Sequence, residues 1–267
     1  MRIIIPSYKR VDKQITIKSF SKELLANTTI VVQEGEEASA YKAANLPCEI
    51  YVLPPEIRTI GPTREHLLQA IEEPCIMMDD DLRFRVYNKK TKKYVASTPY
   101  DLDKMVAWLV AQMHAGFAHA SVGYPVLAHH KGATIYNSRY YAIAAYNFPL
   151  IKHIGGTFIV SRKNTLLTQE DFHLALQLLR KGFPSIISSR WLTDQKANAA
   201  GGCSETRTFE QLKAQSKHLS KVHKGFVTVV KKDTDWGEHK TRYDVRVNWK
   251  KAFESASFKN WPNGHPK

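Results

Sequence analysis

The sequence predicts an α/β unit built on a mostly parallel central sheet, followed by a basic α/β extension packed on the same unit. Three observations carry this. Short apolar runs alternate with helical patterns, the signature of βαβ units. One of those runs, Cys75–Met78, leads straight into three aspartates, Asp79-Asp80-Asp81. The formal net charge is +14, and +8 of it falls between Arg207 and Lys267, from 14 Lys/Arg against 6 Asp/Glu. The boundary therefore falls between residues 1–206 and 207–267. With 43% hydrophobic and 10% aromatic residues in 267, the chain can bury a real core.

Arg2–Ile5 reads as a strand ended by Pro6, Thr29–Val32 as a second, and Glu49–Leu53 as a third closed by Pro54-Pro55. Pro62 opens a helix with Leu67, Leu68 and Ile71 on one face. Cys75–Met78 is the fourth strand. RFRVYNKKTKKYV then reads as a basic hairpin turning near Asn88. Asp101 can cap a long helix with Leu102, Met105, Val106, Leu109 and Met113 on one stripe. Strands are expected near Ala120–Tyr124, Tyr140–Asn147, Thr157–Ser161 and Ser185–Ser189. A helix from Thr168 to a stop at Gly182 lies before the last of these. Beyond Thr208 come a basic helix and two β runs, Phe226–Val230 and Tyr243–Trp249, the latter alternating like a half-exposed antiparallel strand.

Several classes are excluded. No stretch approaches the roughly 18 apolar residues of a membrane span, and Ile3–Ile5 is too short for a secretory core. Three cysteines, Cys48, Cys75 and Cys203, do not make a disulfide framework or a zinc site, and they fit a reducing cytoplasm. The positive surplus favours a polyanion, nucleic acid first, against a merely solubilising surface.

The aspartate triplet is the strongest chemical signal. In open α/β sheets ligands bind beyond the carboxyl ends of strands. Three adjacent carboxylates repel one another unless a cation neutralises them. A hard divalent ion, Mn²⁺ or Mg²⁺, held by one or two of them with diphosphate oxygens completing its shell, fits that need. An Asx-rich turn would account for one aspartate but not three. Arg64, 15 residues earlier, can reach a phosphate or make an exposed pair with Glu65 or Glu72. Gly61-Pro62 offers free N–H groups at a helix start. In TQEDFHLALQLLRKGF, Glu170 or Asp171 can act as a general base, while Thr168 and Asp171 have capping-box spacing. Gly155-Gly156 and Gly201-Gly202 permit close backbone approach to a ligand, and Arg207 follows the second pair. His129-His130 reads as polar loop surface.

The ordered set Pro6-Ser7-Tyr8-Lys9-Arg10, Arg64, Asp79-Asp80-Asp81, Gly155-Gly156-Thr157-Phe158 and Glu170-Asp171 resembles the GT-A glycosyltransferases. The blocks RTIGPTREHLL…IMMDDDLRF and AAGGCSETRT resemble, more narrowly, the phage-type DNA base glycosyltransferases called TET-associated glycosyltransferases. That resemblance implies a GT-A fold and transfer of a sugar from a nucleotide-sugar, UDP-linked, to a hydroxymethylated pyrimidine in double-stranded DNA, 5-hydroxymethylcytosine, in the host cytoplasm. It implies donor contacts from Pro6, Ser7, Tyr8, Arg10, Gln33, Arg64, Asp79, Asp80, Gly155 and Gly156. Asp81 and Asp79 would hold the metal, and Asp171 or Glu170 would be the base of an inverting displacement. Where many inverting relatives read E-D-x-D, this chain has His173 in the last position, and the third metal ligand stays open among Asp194, His218 and His223. The DNA backbone would be held by Arg83, Arg85, Lys89, Lys90, Lys92, Lys93 and Arg207, with the target base flipped out. A polysaccharide or protein acceptor, and nucleic-acid binding without transfer, are the alternatives.

Overall fold

The computed structural model describes residues 1–140, 142–160, 169–195, 208–233 and 240–262. Strand β1 (Arg2–Pro6) sends Ile3 and Ile5 to one face and Ile4 to the other, all buried, as a strand covered on both sides requires. Helix α1 (Lys22–Ala26) leads to β2 (Thr28–Val32), and α2 (Glu36–Ala43) to β3 (Glu49–Val52). Helix α3 (Ile60–Ala70) leads to β4 (Cys75–Met78). The order β3-β2-β1-β4 is parallel throughout. The chain winds outward from β1 to β3 and then returns to pair β4 on the other side of β1. The carboxyl ends of β1 and β4 thus form a topological switch point, where such sheets open a ligand crevice.

The sheet continues through an antiparallel hairpin, β5 (Arg83–Asn88) and β6 (Lys93–Ala96), and α4 (Pro99–Ala115). Next come β7 (His119–Gly123), β8 (Thr134–Tyr136), β9 (Ile143–Tyr146) and α5 (Phe148–His153). Helix α6 (Glu170–Arg180) precedes β10 (Ser185–Asp194). The full order is β3-β2-β1-β4-β9-β7-β10-β5-β6, with β8 on β10. Strands β9, β5 and β8 run against the rest. This is the expected α/β class, with a large, mostly parallel central sheet.

Helices α1, α2 and α4 pack on one face, through Leu24, Tyr41, Leu102, Met105 and Leu109. Helices α3, α5 and α6 pack on the other, through Leu67, Leu68, Phe148, Ile151, Leu174 and Leu178. Beyond them α7 (Phe209–Val222), the ribbon β11 (Val227–Asp233) and β12 (Thr241–Val247), and α8 (Trp249–Glu254) form a third layer. Leu219, Val227, Val245, Ala252 and Phe253 of that layer meet Phe172, Leu176 and Leu179 on the outer face of α6. Helix α6 is therefore apolar on two sides, facing the sheet and the extension. No described helix is long and apolar enough to cross a membrane.

Some boundaries differ from expectation. Asp101 does not cap α4; Thr98 does, and Asp101 closes the capping box as the third helical residue. Residues 157–160 are not a strand, because Thr157 and Phe158 are spent on binding Glu65. Helix α6 begins at Glu170, behind Gln169 in the left-handed region, so Asp171 is its second residue rather than its third. Thr168 itself, like the block around Gly201-Gly202 and Arg207, lies outside the described residues.

One polar link crosses from α6 to the extension. His173 Nδ1 and His223 Nε2 are 2.9 Å apart, and Arg180 lies 3.2 Å from His223 Nδ1. Arginine only donates, so His223 accepts at Nδ1, carries its proton on Nε2 and donates to His173. Both rings are neutral in this arrangement. Burial, with the neighbouring His218, pushes His173 down to about 4; burial, with His173 and Arg180, pushes His223 down to about 3. The unfolded rings take up protons near 6.5, so the unfolded state binds more protons below that pH and stability falls as pH drops from 6.5 towards 4. Each imidazole kept neutral contributes a slope of up to about 1.4 kcal/mol per pH unit. His223→Gln can keep both hydrogen bonds while removing one titration, so its melting temperature should fall less steeply with acid than the wild type's. Equal slopes would contradict the assignment.

Candidate functional site

Loops from β1 and β4 meet at the switch point. Asp80 and Asp81 are only 4% and 8% exposed. Arg10, on the loop after β1, lies between them, with its Nη1 2.6 Å from Asp80 Oδ1 and 2.9 Å from Asp81 Oδ2. Ser7 also donates to Asp80, and the Ser7 hydroxyl is in turn met by Tyr41 and Gln14. Asp80 accordingly feels burial raising its pKa while Ser7 and Arg10 oppose it, with a net rise. Thr16 accepts the Leu82 N–H and donates to the Asp79 carbonyl, fixing the turn. The repulsion expected among three carboxylates is thus answered largely within the chain, by Arg10.

Asp79 is the outward member, its side chain 36% exposed. Desolvation raises its pKa, Arg64 opposes, and Asp81, Asp80 and Asp171 add to the rise, so that it reaches about 7. Arg64 is the bridge across the crevice. Its Nη1 is 2.8 Å from Glu170 Oε1 on α6 and its Nη2 3.8 Å from Asp79 Oδ1. Burial works against the Arg64 charge, but Glu170, Tyr146, Asp171 and Asp79 outweigh it and keep the guanidinium cationic. Its Nε is buried and has no hydrogen-bond partner among the described residues. An exposed pair with Glu65 or Glu72, considered from the sequence, is not formed: Glu65 holds Thr157 and Phe158, and Glu72 holds Lys152.

Arg64 and Asp171 line one cavity with Met77, Ala142, Ile143, Ala144, Tyr140 and Tyr146. Tyr146 donates to the Tyr140 hydroxyl, and Tyr140 donates to the Asp171 carbonyl at 2.9 Å. The Asp171 carboxylate accepts the Phe172 N–H. Neither tyrosine stood out in the sequence, although both lie within the expected strand Tyr140–Asn147.

Other expected positions scatter more. Pro6 and Tyr8 flank Ser7 at the end of β1, and Gln33, just past β2, accepts from Arg58. Gly156 is a packing position: a Cβ there would come within 2.8 Å of Ile151 and 3.2 Å of Leu174, where α5 and α6 approach closely. Gly155 adopts φ +67° beside it and faces open space. The hairpin turn is at Asn88, whose side chain accepts from Lys90 and Thr91. Arg83 and Arg85 are exposed beside the acidic turn, but β5 then leads away. Lys89, Lys90, Lys92 and Lys93 therefore cluster roughly 20 Å from it by the rise of a six-residue strand. Among the described residues no three His, Cys, Asp or Glu side chains converge on a metal position. His223, one candidate third ligand, is bonded to His173 instead.

A switch-point crevice with acidic residues on one wall and a buried arginine across it is the ligand-binding place of an open α/β sheet. The chain belongs to the TET-associated glycosyltransferase family, whose sequence profile matches residues 1–202. No curated protein sequence matches it significantly. Among solved structures it is similar to glucosyl-3-phosphoglycerate synthase from Mycobacterium tuberculosis in complex with Mn²⁺, UDP-glucose and phosphoglyceric acid. That match has 13% identity and a TM-score of 0.49, over 86% of this chain and 82% of that one. It is also similar to the mannosyltransferase PcManGT from Pyrobaculum calidifontis in complex with GDP-Man and Mn²⁺. There the identity is 14% and the TM-score 0.46, over 83% and 63% of the two chains.

Breaking a buried ion pair from one side leaves an uncompensated charge, at a cost of about 3–5 kcal/mol. Arg64→Ala should lose that much in urea unfolding, and Arg64→Lys, which keeps the charge, distinctly less. A loss below about 1 kcal/mol for Arg64→Ala, the range of an exposed pair, would contradict the bridging role.

Proposed function

We propose that the protein is a metal-dependent, inverting glycosyltransferase that moves a sugar from a UDP-linked donor to the hydroxyl of 5-hydroxymethylcytosine in double-stranded DNA. The observation that carries this reading is the buried Arg64, charged, fixed between Asp79 and Glu170, with its Nε still to be bonded. A buried donor without a partner is costly in isolation and suits an anionic ligand such as a diphosphate. The family match supports the transfer, and the +14 charge supports a polyanionic acceptor.

The donor set at the acidic turn fits a hard divalent ion, because Asp79 and Asp81 offer oxygen ligands only. These two residues would hold Mn²⁺ or Mg²⁺, which supplies charge neutralisation for the leaving nucleoside diphosphate. Ser7, Tyr8 and Gln33, at the ends of β1 and β2, border the nucleoside end of the crevice. Arg64 binds the diphosphate and stabilises the charge that grows on it as the glycosidic bond breaks. Glu170 is occupied in holding Arg64, which leaves Asp171 as general base. The acceptor hydroxyl gives its proton to an Asp171 carboxylate oxygen while its own oxygen attacks the anomeric carbon from the face opposite the leaving group. Tyr140 holds the Asp171 backbone in place. A base stacked in duplex DNA cannot bring its hydroxymethyl group to Asp171, so the target nucleotide is flipped out. Arg83 and Arg85 border the acidic turn, and the hairpin lysines extend the DNA contact along the sheet edge.

The test is transfer itself. The protein is incubated with Mn²⁺, several nucleotide-sugars and each of three acceptors: unmodified DNA, hydroxymethylcytosine DNA and a polysaccharide. Nucleoside mass spectrometry should find one added sugar on hydroxymethylcytosine alone, and transfer only to the carbohydrate would overturn the acceptor. In the same assay Asp171→Asn should lower turnover by about 10²–10⁴, while the rise in melting temperature on adding UDP with Mn²⁺ is retained. An active Asp171→Asn beside a folded but inactive Glu170→Gln would move the base to Glu170.

A further inference from the structure

We infer that Pro125 and Val126, at the head of the 3₁₀ turn Pro125–His130, form an apolar wedge that fills the gap left in duplex DNA when the target base swings out, with Lys131 at the foot of the same turn on a flanking phosphate. The inference deepens the DNA reading above and rests on it for the flipped base. A flipped base leaves an unstacked gap, and proteins that distort a duplex insert apolar side chains between base steps.

The turn grows out of β7 at the crevice. Strand β7 runs in the same sense as β4, because both are antiparallel to β9. Its last residue, Gly123, therefore lies on the same side of the sheet as Asp79. Ser121 pairs with Ala144, so the register carries Gly123 to Ala142, which lines the cavity with Arg64 and Asp171. Val126 follows three residues later, within about 10 Å of chain. Leu127 is buried in the same core as Leu67, Phe148 and Leu174 and anchors the turn. His129 Nδ1 donates to the Val126 carbonyl at 2.9 Å, and the Leu127 N–H donates to the Tyr124 carbonyl. Val126 itself stays 57% exposed. The other exposed large hydrophobics among the described residues are Tyr51, Val95, Tyr100 and Phe258. Tyr51 bonds His66, Lys104 covers the Tyr100 ring, Val95 is on the edge strand β6, and Phe258 lies beside Gly182 past the end of α6.

The surroundings suit a polyanion. Residues 83–98 hold six Lys/Arg and residues 125–138 hold Lys131, and neither stretch contains an Asp or Glu. Lys89, Lys90, Lys92, Lys93 and Lys131 are exposed, and none has an ion-pair partner among the described residues. Along the hairpin's pairing with β10 the acidic residue met is Asp194, opposite Arg83 at the crevice end. The turn and the hairpin also touch. Gly132, at φ +87°, lies against the Tyr87 ring, where a Cβ would come within 3.1 Å. Tyr94 donates to the Ser189 carbonyl, and the Ser189 N–H donates to the Ala133 carbonyl. The wedge and the hairpin lysines therefore belong to one rigid edge. Val126 and Lys131 are five residues apart, about 10 Å at the 3₁₀ rise of roughly 2 Å per residue, which spans about three base steps. An apolar tip flanked by unpaired cations fits a duplex step, whose apolar stack lies between charged backbones.

The experiment uses the full-length protein and a hydroxymethylcytosine duplex carrying 2-aminopurine beside the target, a probe that brightens when its neighbour leaves the stack. The wild type is compared with Val126→Ala, Val126→Leu and Lys131→Ala. Val126→Ala should weaken the brightening several-fold and raise the KM for the duplex about tenfold, and the deficit should narrow when the target base is mispaired and so more easily unstacked. Val126→Leu, which keeps an apolar tip, should stay close to wild type. Lys131→Ala should flatten the log–log salt slope of duplex binding by about 0.9. The thermal shift with UDP and Mn²⁺ should match in all four proteins, which also reports folding. A Val126→Ala protein that brightens the probe as the wild type does, or that loses as much on mispaired DNA, overturns the inference, as does an unchanged salt slope in Lys131→Ala. Wild-type transfer to hydroxymethylcytosine alongside any of these results leaves the acceptor reading standing. Brightening that depends on Val126, without transfer to hydroxymethylcytosine, upholds the wedge and removes the acceptor reading. A wild type that neither binds nor brightens the duplex overturns both.

Discussion

A single buried guanidinium joins the two walls of the crevice. Arg64 reaches from α3 to Asp79 at the end of β4 and to Glu170 at the start of α6. Elements distant in sequence are held at one spacing by charges that cannot be left unpaired in a poorly solvated place. The first turn of α6 is fixed residue by residue around this contact. Glu170 meets Arg64, the Asp171 carbonyl meets Tyr140, Phe172 packs against Arg139 and Trp249, and His173 bonds His223. Four successive residues take five partners from four separate parts of the chain, so the turn has little freedom to move alone. Precise placement of this kind is what a general base requires.

The acidic turn solves a different problem. Three adjacent carboxylates at a strand end are unfavourable until a cation intervenes. Arg10 supplies one from within, binding Asp80 and Asp81, while Ser7, Tyr41 and Gln14 complete the hydrogen bonding. Asp79 is left facing the crevice, raised to about 7 by burial and by its acidic neighbours. The division of labour is uneven: Asp80 knits β1 to β4, and Asp79 faces the crevice.

The fold was largely legible because its signals are local. The run Cys75–Met78 is a strand with those bounds, and Gly182 ends α6 with φ +84° and its N–H on the Leu179 carbonyl. Where two local signals competed, the sequence misled: Thr98 and Asp101 can both cap, and only the structure gives Thr98 the role. Thr157–Val160 has strand-like residues, but Glu65 binds that backbone before any strand can. The site was legible in its members and not in its pairings. Arg64, Asp79 and Glu170 were each singled out, yet no periodicity reports which side chains meet across a crevice. The Arg10 clamp and the His173–His223 link were invisible for the same reason.

The central claim is that Arg64 bridges the two walls and offers its remaining donor to a diphosphate. The most direct measurement is a crystal structure of the protein with UDP and Mn²⁺. The account predicts a diphosphate oxygen within about 3 Å of Arg64 Nε, with the Arg64–Glu170 pair intact and Asp171 facing the open side of the cavity. A diphosphate bound away from Arg64, with Nε still unbonded, would contradict it.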